Sequence, residues 1–304
     1  MQKIIHADHV KKRYKETIAV DDISLSVNEG EIFGMVGPNG AGKTTTIECL
    51  EGLRDPDSGL ISVLGKNPYS DRKQLQTLIG VQLQEARFQD RIKVRELCEL
   101  FSSFYDKPLD YQSLLERFGL QDKVKSYVSQ LSGGQKQKLS IVLALLPNPK
   151  IVFLDELTTG LDPRARRNMW NTVKGLQSEG RTIFLTTHYM EEAENLCDRL
   201  VVVDKGKIIA LGTIPELITA SPIKQKIVFT ASGVEPESLR KINGIHGVEM
   251  FGNEIAAYAE RVGLEEQLRK SLAGIEIRNL RTFKPNLEDV FLELTAQGQD
   301  KSDE

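Results

Sequence analysis

Nothing in this 304-residue chain approaches the roughly 18 consecutive apolar residues that a membrane-spanning helix needs. The longest aliphatic runs, Ile141–Leu146 and Leu200–Val203, are the size of core elements. The opening residues, Met1 to Asp8, hold neither a long apolar stretch nor a small-residue cleavage motif, so no secretory leader is expected. Cysteine is scarce: Cys49, Cys98 and Cys197 lie far apart, are odd in number and form no CxxC pair. That argues against a disulfide framework or thiolate zinc site and for a reduced, cytosolic compartment. An excess of one charge is also lacking, since 40 Lys and Arg face 43 Asp and Glu for a net −3. Such a balance offers no global field to gather nucleic acid. The short basic run Lys11-Lys12-Arg13 with Lys15 has no aromatic array beside it and reads as a solvated strand edge. No internal repeat is visible.

What is present is an alternation of short aliphatic strands and helical segments. Glu31–Val36 reads as a buried strand and Lys43–Leu50 as the helix after it. Ile151–Leu154, Thr182–Leu185 and Leu200–Val203 are further core strands between helices, which predicts an α/β fold with a mostly parallel sheet. Between Asp90 and Val128 the period changes: Val94, Leu97, Phe101 and Phe104 recur at helical spacing, followed by Leu114, Leu115 and Phe118. A small all-helical insert is expected there. Near Ala220-Ser221-Pro222 the pattern breaks as a linker would. Beyond it the order is strand Gln225–Thr230, helix Pro236–Ile242, two strands around Gly252-Asn253, helix Val262–Ala273 and strand Ile275–Arg281. That β-α-β-β-α-β order predicts a small α+β, ferredoxin-like domain. Leu287–Leu294 would add a closing helix with Glu288 and Asp289 near its positive end. The expected organisation is therefore residues 1–218 with a helical subdomain at about 85–145, a linker at 219–224, a domain at 225–296 and a disordered polar tail at 297–304.

Gly37-Pro38-Asn39-Gly40-Ala41-Gly42-Lys43-Thr44, followed by Thr45, fits G-x-x-x-x-G-K-[ST] between a predicted strand and a predicted helix. In such a loop glycines let backbone N–H groups converge on phosphate oxygens without an obstructing Cβ. Lys43 can reach the β- and γ-phosphates, Thr44 can hold Mg²⁺, and the helix points its positive end at the anion. Ile151-Val152-Phe153-Leu154 then ends in Asp155-Glu156. The first acid suits a Mg²⁺ site at the carboxyl edge of the sheet, and the second can polarise an attacking water.

Leu131-Ser132-Gly133-Gly134-Gln135, a short helix before the Asp155-Glu156 strand, resembles the signature motif of the ATP-binding cassette (ABC) ATPases. Ser132 can cap the helix that carries Leu139, Val142, Leu143 and Leu146. The resemblance covers residues 1–218 and implies further roles. Tyr14 is similar to the aromatic that stacks on adenine. Gln84, closing Ile79-Gly80-Val81-Gln82-Leu83-Gln84, resembles the Q-loop glutamine that joins Mg²⁺; strand alternation favours it over Gln82. Gly160-Leu161-Asp162 resembles the D-loop, with Leu157 where proline is frequent, and His188 resembles the switch histidine on the γ-phosphate. The C-terminal run Leu287-Glu288-Asp289-Val290-Phe291-Leu292 is similar to the tails of ABC-2-type exporter ATPases, including those of daunorubicin resistance.

The implied protein is an ATPase subunit of an exporter. Two copies would sandwich two ATP and drive a separate integral membrane permease, the chain lying peripherally on the cytoplasmic face of the membrane. The helical insert would meet that permease, and Phe88 just before it reads either as an exposed anchor or, as for any single aromatic, as a core residue. A soluble ABC ATPase acting on nucleic acid or ribosomes is the rival reading. It is weakened by the single cassette and the lack of a long coiled-coil insertion, so no nucleic-acid partner is expected.

Overall fold

The computed structural model describes residues 2–82, 88 and 91–300, with side chains as far as Thr295. It divides into two compact units between Thr213 and Ile214, so the helix Ile214–Ala220 opens the second unit. Ser221 and Ile223, read from sequence as linker, are buried; Ile223 packs on Ala256 and Tyr258.

The first unit holds two sheets. Strands β1 (Lys3–Tyr14), β2 (Thr17–Asn28) and β4 (Ser58–Val63) form an antiparallel sheet in the order β2-β1-β4. The second sheet contains β3 (Ile32–Val36), β5 (Ile79–Gln82), β6 (Ile151–Asp155), β7 (Thr182–Thr187), β8 (Arg199–Asp204) and β9 (Lys207–Gly212), in the order β5-β6-β7-β3-β8-β9. All its pairs are parallel except β8 with β9. Strands β3, β6 and β7 are buried from end to end, as unbroken aliphatic sequence requires of the centre of a parallel sheet. Phe153, Phe184 and Phe33 lie side by side in register across β6, β7 and β3, with ring centroids 5.7 and 5.6 Å apart. Together with Ile5, Ile23 and Ile47 they belong to one apolar core.

The insert is helical: Val94–Ser102, Tyr111–Arg117 and two 3₁₀ turns lead into Gly133–Leu145. Asp110 caps the second of these by accepting from the backbone of Gln112 and Ser113. Val94 and Leu97 are buried, but Phe104 is 63% exposed because the helix ends at Ser102, before its period reaches that residue. Phe88 is half-buried and packs edge-on against Phe101 at 6.1 Å.

In the second unit β10 (Gln225–Thr230), β11 (Ile245–Phe251), β12 (Glu254–Ala259) and β13 (Arg278–Phe283) form an antiparallel sheet in the order β11-β12-β10-β13. Its helices are Pro236–Arg240 and Glu265–Ser271. The closing helix spans Leu287–Asp300, so positions 297–300 are helical where a disordered tail was expected. Polar composition removes burial from such a segment, but Ala296 and Gln297 are good helix formers and the preceding turns have already nucleated the helix.

Candidate active site

The loop after β3 turns through left-handed glycines into the helix Lys43–Leu50. Gly42 stands at the N-cap with φ 98° and no side chain caps it, so the first-turn N–H groups point outward without a protein acceptor side chain. A Cβ on Gly42 would lie 2.1 Å from the Ala19 carbonyl oxygen, and one on Gly37 would lie 2.3 Å from that of Val203. These two glycines are therefore demanded by the protein's own backbone, not by room for phosphate. Gly40 faces open space, and only its φ of 81° calls for glycine.

Asn39, Gly40, Gly42, Lys43, Thr44, Thr45 and Glu156 line a cleft of about 410 Å³, together with Thr17 and Ala19 of β2. Lys43 is buried and donates to the carbonyl oxygens of Gly37 (2.9 Å) and Pro38 (3.0 Å). Burial pushes its ammonium below the ordinary lysine range, with Glu156 and Asp155 opposing. Ala41 is buried and its carbonyl accepts from Gly206 N–H, so Pro38 and Ala41 shape the loop without lining the cleft.

Sheet register brings the acids to the same edge. Asp155 ends β6 beside Thr186 of β7. The Thr186 hydroxyl donates to Asp155 Oδ1, and the Thr44 hydroxyl donates to Oδ2 at 3.4 Å. Burial raises the Asp155 carboxyl above the usual aspartate range, and these hydroxyls oppose that rise. A carboxylate and a hydroxyl this close together beside the cleft are hard oxygen donors of the kind that fit Mg²⁺. Gln82 is buried, and its side-chain oxygen accepts from Asp155 N–H at 3.1 Å. Gln84 lies outside the described residues.

Glu156 follows in a left-handed turn with φ 47°. Its N–H donates to the Thr186 carbonyl at 3.1 Å. Its Oε1 lies 3.9 Å from Lys43 Nζ and 3.2 Å from His188 Nδ1, the latter off the line of a hydrogen bond. His188 lies against Tyr189 with ring centroids 4.1 Å apart and the rings tilted by 41°, and Arg166 lies over the Tyr189 ring at 4.4 Å. Thr186 and Arg166 carry no motif signal of their own, and Gln82 was set behind Gln84; the pairing of β6 with β7 places Thr186, and that of β5 with β6 places Gln82.

The remaining candidates lie apart from the cleft. Tyr14, 37% exposed at the end of β1, sits between Lys12 and Arg54 at 5.8 and 5.5 Å and does not line the cleft. Ser132 caps Gly133–Leu145, accepting from Gln135 N–H at 3.3 Å, while Gln135 Oε1 accepts from Ser132 N–H at 3.0 Å. Ser132 and Gly133 are exposed, and neither they nor Gly134 line the cleft of their own chain. Asp162 caps Pro163–Ser178 through bonds from Arg164 and Ala165 N–H, both to its Oδ1.

Residues 20–159 match the family model described as ABC transporter. The Nod factor export ATP-binding protein I of Burkholderia lata is 38% identical over 95% of this chain and 96% of its own length. Its namesake in Mesorhizobium japonicum is 39% identical over 95% and 85%. Among solved structures, an ATP-binding subunit of an ABC transporter aligns at TM-score 0.65 and 28% identity, covering 71% of this chain and 92% of that one. The cbiO1 protein of Clostridium perfringens, part of the ABC transporter complex cbiONQ, aligns at 0.64 and 26%, covering 80% and 95%.

Proposed function

Because this chain belongs to the ABC transporter family of ATP-binding proteins, we propose that its ATPase site drives export through a separate integral membrane permease. The observation that carries the reading is that Glu156, which lines the cleft with Lys43, places its Oε1 within 3.9 Å of both Lys43 Nζ and His188 Nδ1. Lys43 exchanges the Gly37 and Pro38 carbonyls for β- and γ-phosphate oxygens. Glu156 orients the attacking water and takes its proton, and His188 holds the γ-phosphate. Thr44 and Asp155 would hold Mg²⁺, with Gln84 as a further ligand, and the bound ion would supply neutralisation of charge on the phosphate oxygens. Tyr14 would stack on the adenine and Asp162 would reach the nucleotide across the dimer.

The exposed Ser132-Gly133-Gly134 turn supports a two-copy site. A helix N-terminus with open N–H groups that its own cleft does not use can serve the γ-phosphate held by a second copy. The groove of about 400 Å³ lined by Leu53, Phe101, Phe104, Tyr105 and Leu143 supports the insert as the permease-docking face. Export is favoured over action on nucleic acid because the relatives above are export ATP-binding proteins. Among the described residues no helix is long and apolar enough to cross a membrane. An ATPase subunit that drives a separate permease would sit peripherally on the cytoplasmic side, where ATP is supplied.

Glu156→Gln tests the reading. It should bind ATP, lose about 10²–10⁴ in turnover and accumulate as a dimer in size-exclusion chromatography with ATP. Near-normal turnover would overturn the assignment of Glu156. Affinity capture of the tagged chain from detergent-solubilised membranes should bring down a multi-span protein; ribosomal proteins in its place would overturn the export reading.

A further inference from the structure

The sheet of the second unit has two unlike faces. One packs on its helices through Ile227, Phe229, Ile255, Leu239 and Leu268, all buried. On the opposite face, cross-strand register sets out three rows: Tyr258–Lys226–Phe283, Glu249–Ala256–Val228–Arg281, and Phe251–Glu254–Thr230–Arg278, where Arg278 is paired with Glu276 and Glu249 accepts from the Tyr258 hydroxyl. Ala256, Val228 and Thr230 are short and make a low floor, around which Phe251, Phe283 and Arg281 stand taller. The result is a cavity of about 470 Å³, the size of a small-molecule site.

Its polar groups divide into the engaged and the free. Lys226 pairs with the buried Asp289 at 2.7 Å and lies 5.2 Å from the Tyr258 ring centroid. Asn286 and Asp289 cap the start of the closing helix through mutual side-chain to backbone bonds of 2.9 and 3.0 Å. Arg281 and Lys284 line the cavity with no ion-pair partner among the described residues, against the single unpaired carboxylate of Glu254. A register slip in β13 sets Asn279 in a left-handed turn (φ 52°) and adds it to the lining. Phe251 and Phe283 are 68% and 48% exposed and make no ring contact with each other.

We propose that this cavity binds a small organic anion with a flat apolar body. The Phe283 ring contacts that body beside Arg281 and Lys284, which take its carboxylate or phosphate, while Phe251 stands at the opposite corner of the cavity. Two unpaired cations over one acid select an anion, the exposed Phe283 ring beside them selects a flat apolar surface, and the volume sets the size. A nucleic-acid strand is disfavoured: the face holds only two free cations, and Glu254 and the closing helix interrupt any basic track.

Calorimetric titration of the full-length, nucleotide-free chain with 1-naphthoate tests this. Saturable one-to-one binding is expected. Arg281→Gln should weaken it about tenfold, Phe283→Ala about three- to tenfold, and neutral 1-naphthamide should bind at least about tenfold more weakly. 1-Naphthyl phosphate in place of naphthoate distinguishes the anionic groups, and tighter binding of either supports the site. Both substituted side chains are exposed, and unchanged circular dichroism checks that the variants fold. Absent saturation, equal binding of the amide, or affinity unmoved by both substitutions would overturn the proposal. So would an Arg281-dependent affinity for an oligothymidylate in the absence of naphthoate binding.

Discussion

Replacement of Glu192 by alanine is expected to destabilise the first unit by about 2–4 kcal/mol, and replacement by glutamine by no more than about 1 kcal/mol. Glu192 is 3% exposed, and its Oε1 accepts from Trp170 Nε1 at 3.1 Å. Alanine removes one buried methylene, worth about 0.8 kcal/mol, and leaves the buried indole N–H unpaired, at about 1–3 kcal/mol. Glutamine keeps both the volume and an acceptor oxygen. Burial raises the Glu192 carboxyl above the ordinary glutamate value of 4.5, so the charged form is the disfavoured one and an uncharged amide is tolerated. The pH dependence follows. Folded Glu192 keeps its proton to higher pH than unfolded Glu192, so stability falls as pH rises from 4.5 to the raised folded value. The fall is about 1.4 kcal/mol for each pH unit separating the two values, and glutamine should flatten it. Trp170 is the sole tryptophan and lies in the first unit, so its fluorescence follows that unit alone during urea unfolding. Equal loss in the two variants, or a native pH slope retained in Glu192→Gln, would refute the burial argument.

Gly42→Ala should abolish nucleotide binding, measured by fluorescent-ATP titration, because its Cβ would meet the Ala19 carbonyl at 2.1 Å; near-native affinity would contradict that geometry. Ser132→Ala should cost about 1 kcal/mol through loss of the helix cap. It should also reduce turnover while leaving ATP binding at the chain's own cleft intact, separable by comparing binding with phosphate release. Phe88→Ala, which deletes an edge-on contact with Phe101, should weaken recovery of the chain with membranes; unchanged recovery would remove Phe88 from the docking face.

Where chemistry is local, sequence reading reached the residue. The P-loop helix was expected at Lys43–Leu50 and has those limits, because the glycines before it and the aliphatic strand behind it act within a few residues. Ser132 was expected to cap the following helix and does so, since a cap needs only its own next turn. Strand β13 was expected at Ile275–Arg281 and runs Arg278–Phe283. Its N-terminal end is decided by pairing with β10 and by the bulge at Asn279, and neither has a local signature. The same limit applies to Phe104, whose helical spacing suggested packing although the helix stops before it.

By itself, then, the amino-acid order determined the phosphate loop, the paired acids, the capped signature helix and the alternation that makes a parallel sheet. Those depend on backbone conformation, capping and apolar period over a few neighbouring residues. Only the tertiary structure decided that Thr186 and Gln82 hold Asp155 across two strand pairs, and that Glu192 receives the indole of a residue 22 positions away. It alone gathered Lys226, Phe251, Arg281 and Phe283 around one cavity where the linear order shows no cluster. Side chains on different strands become neighbours through register and sheet order, which long-range packing sets.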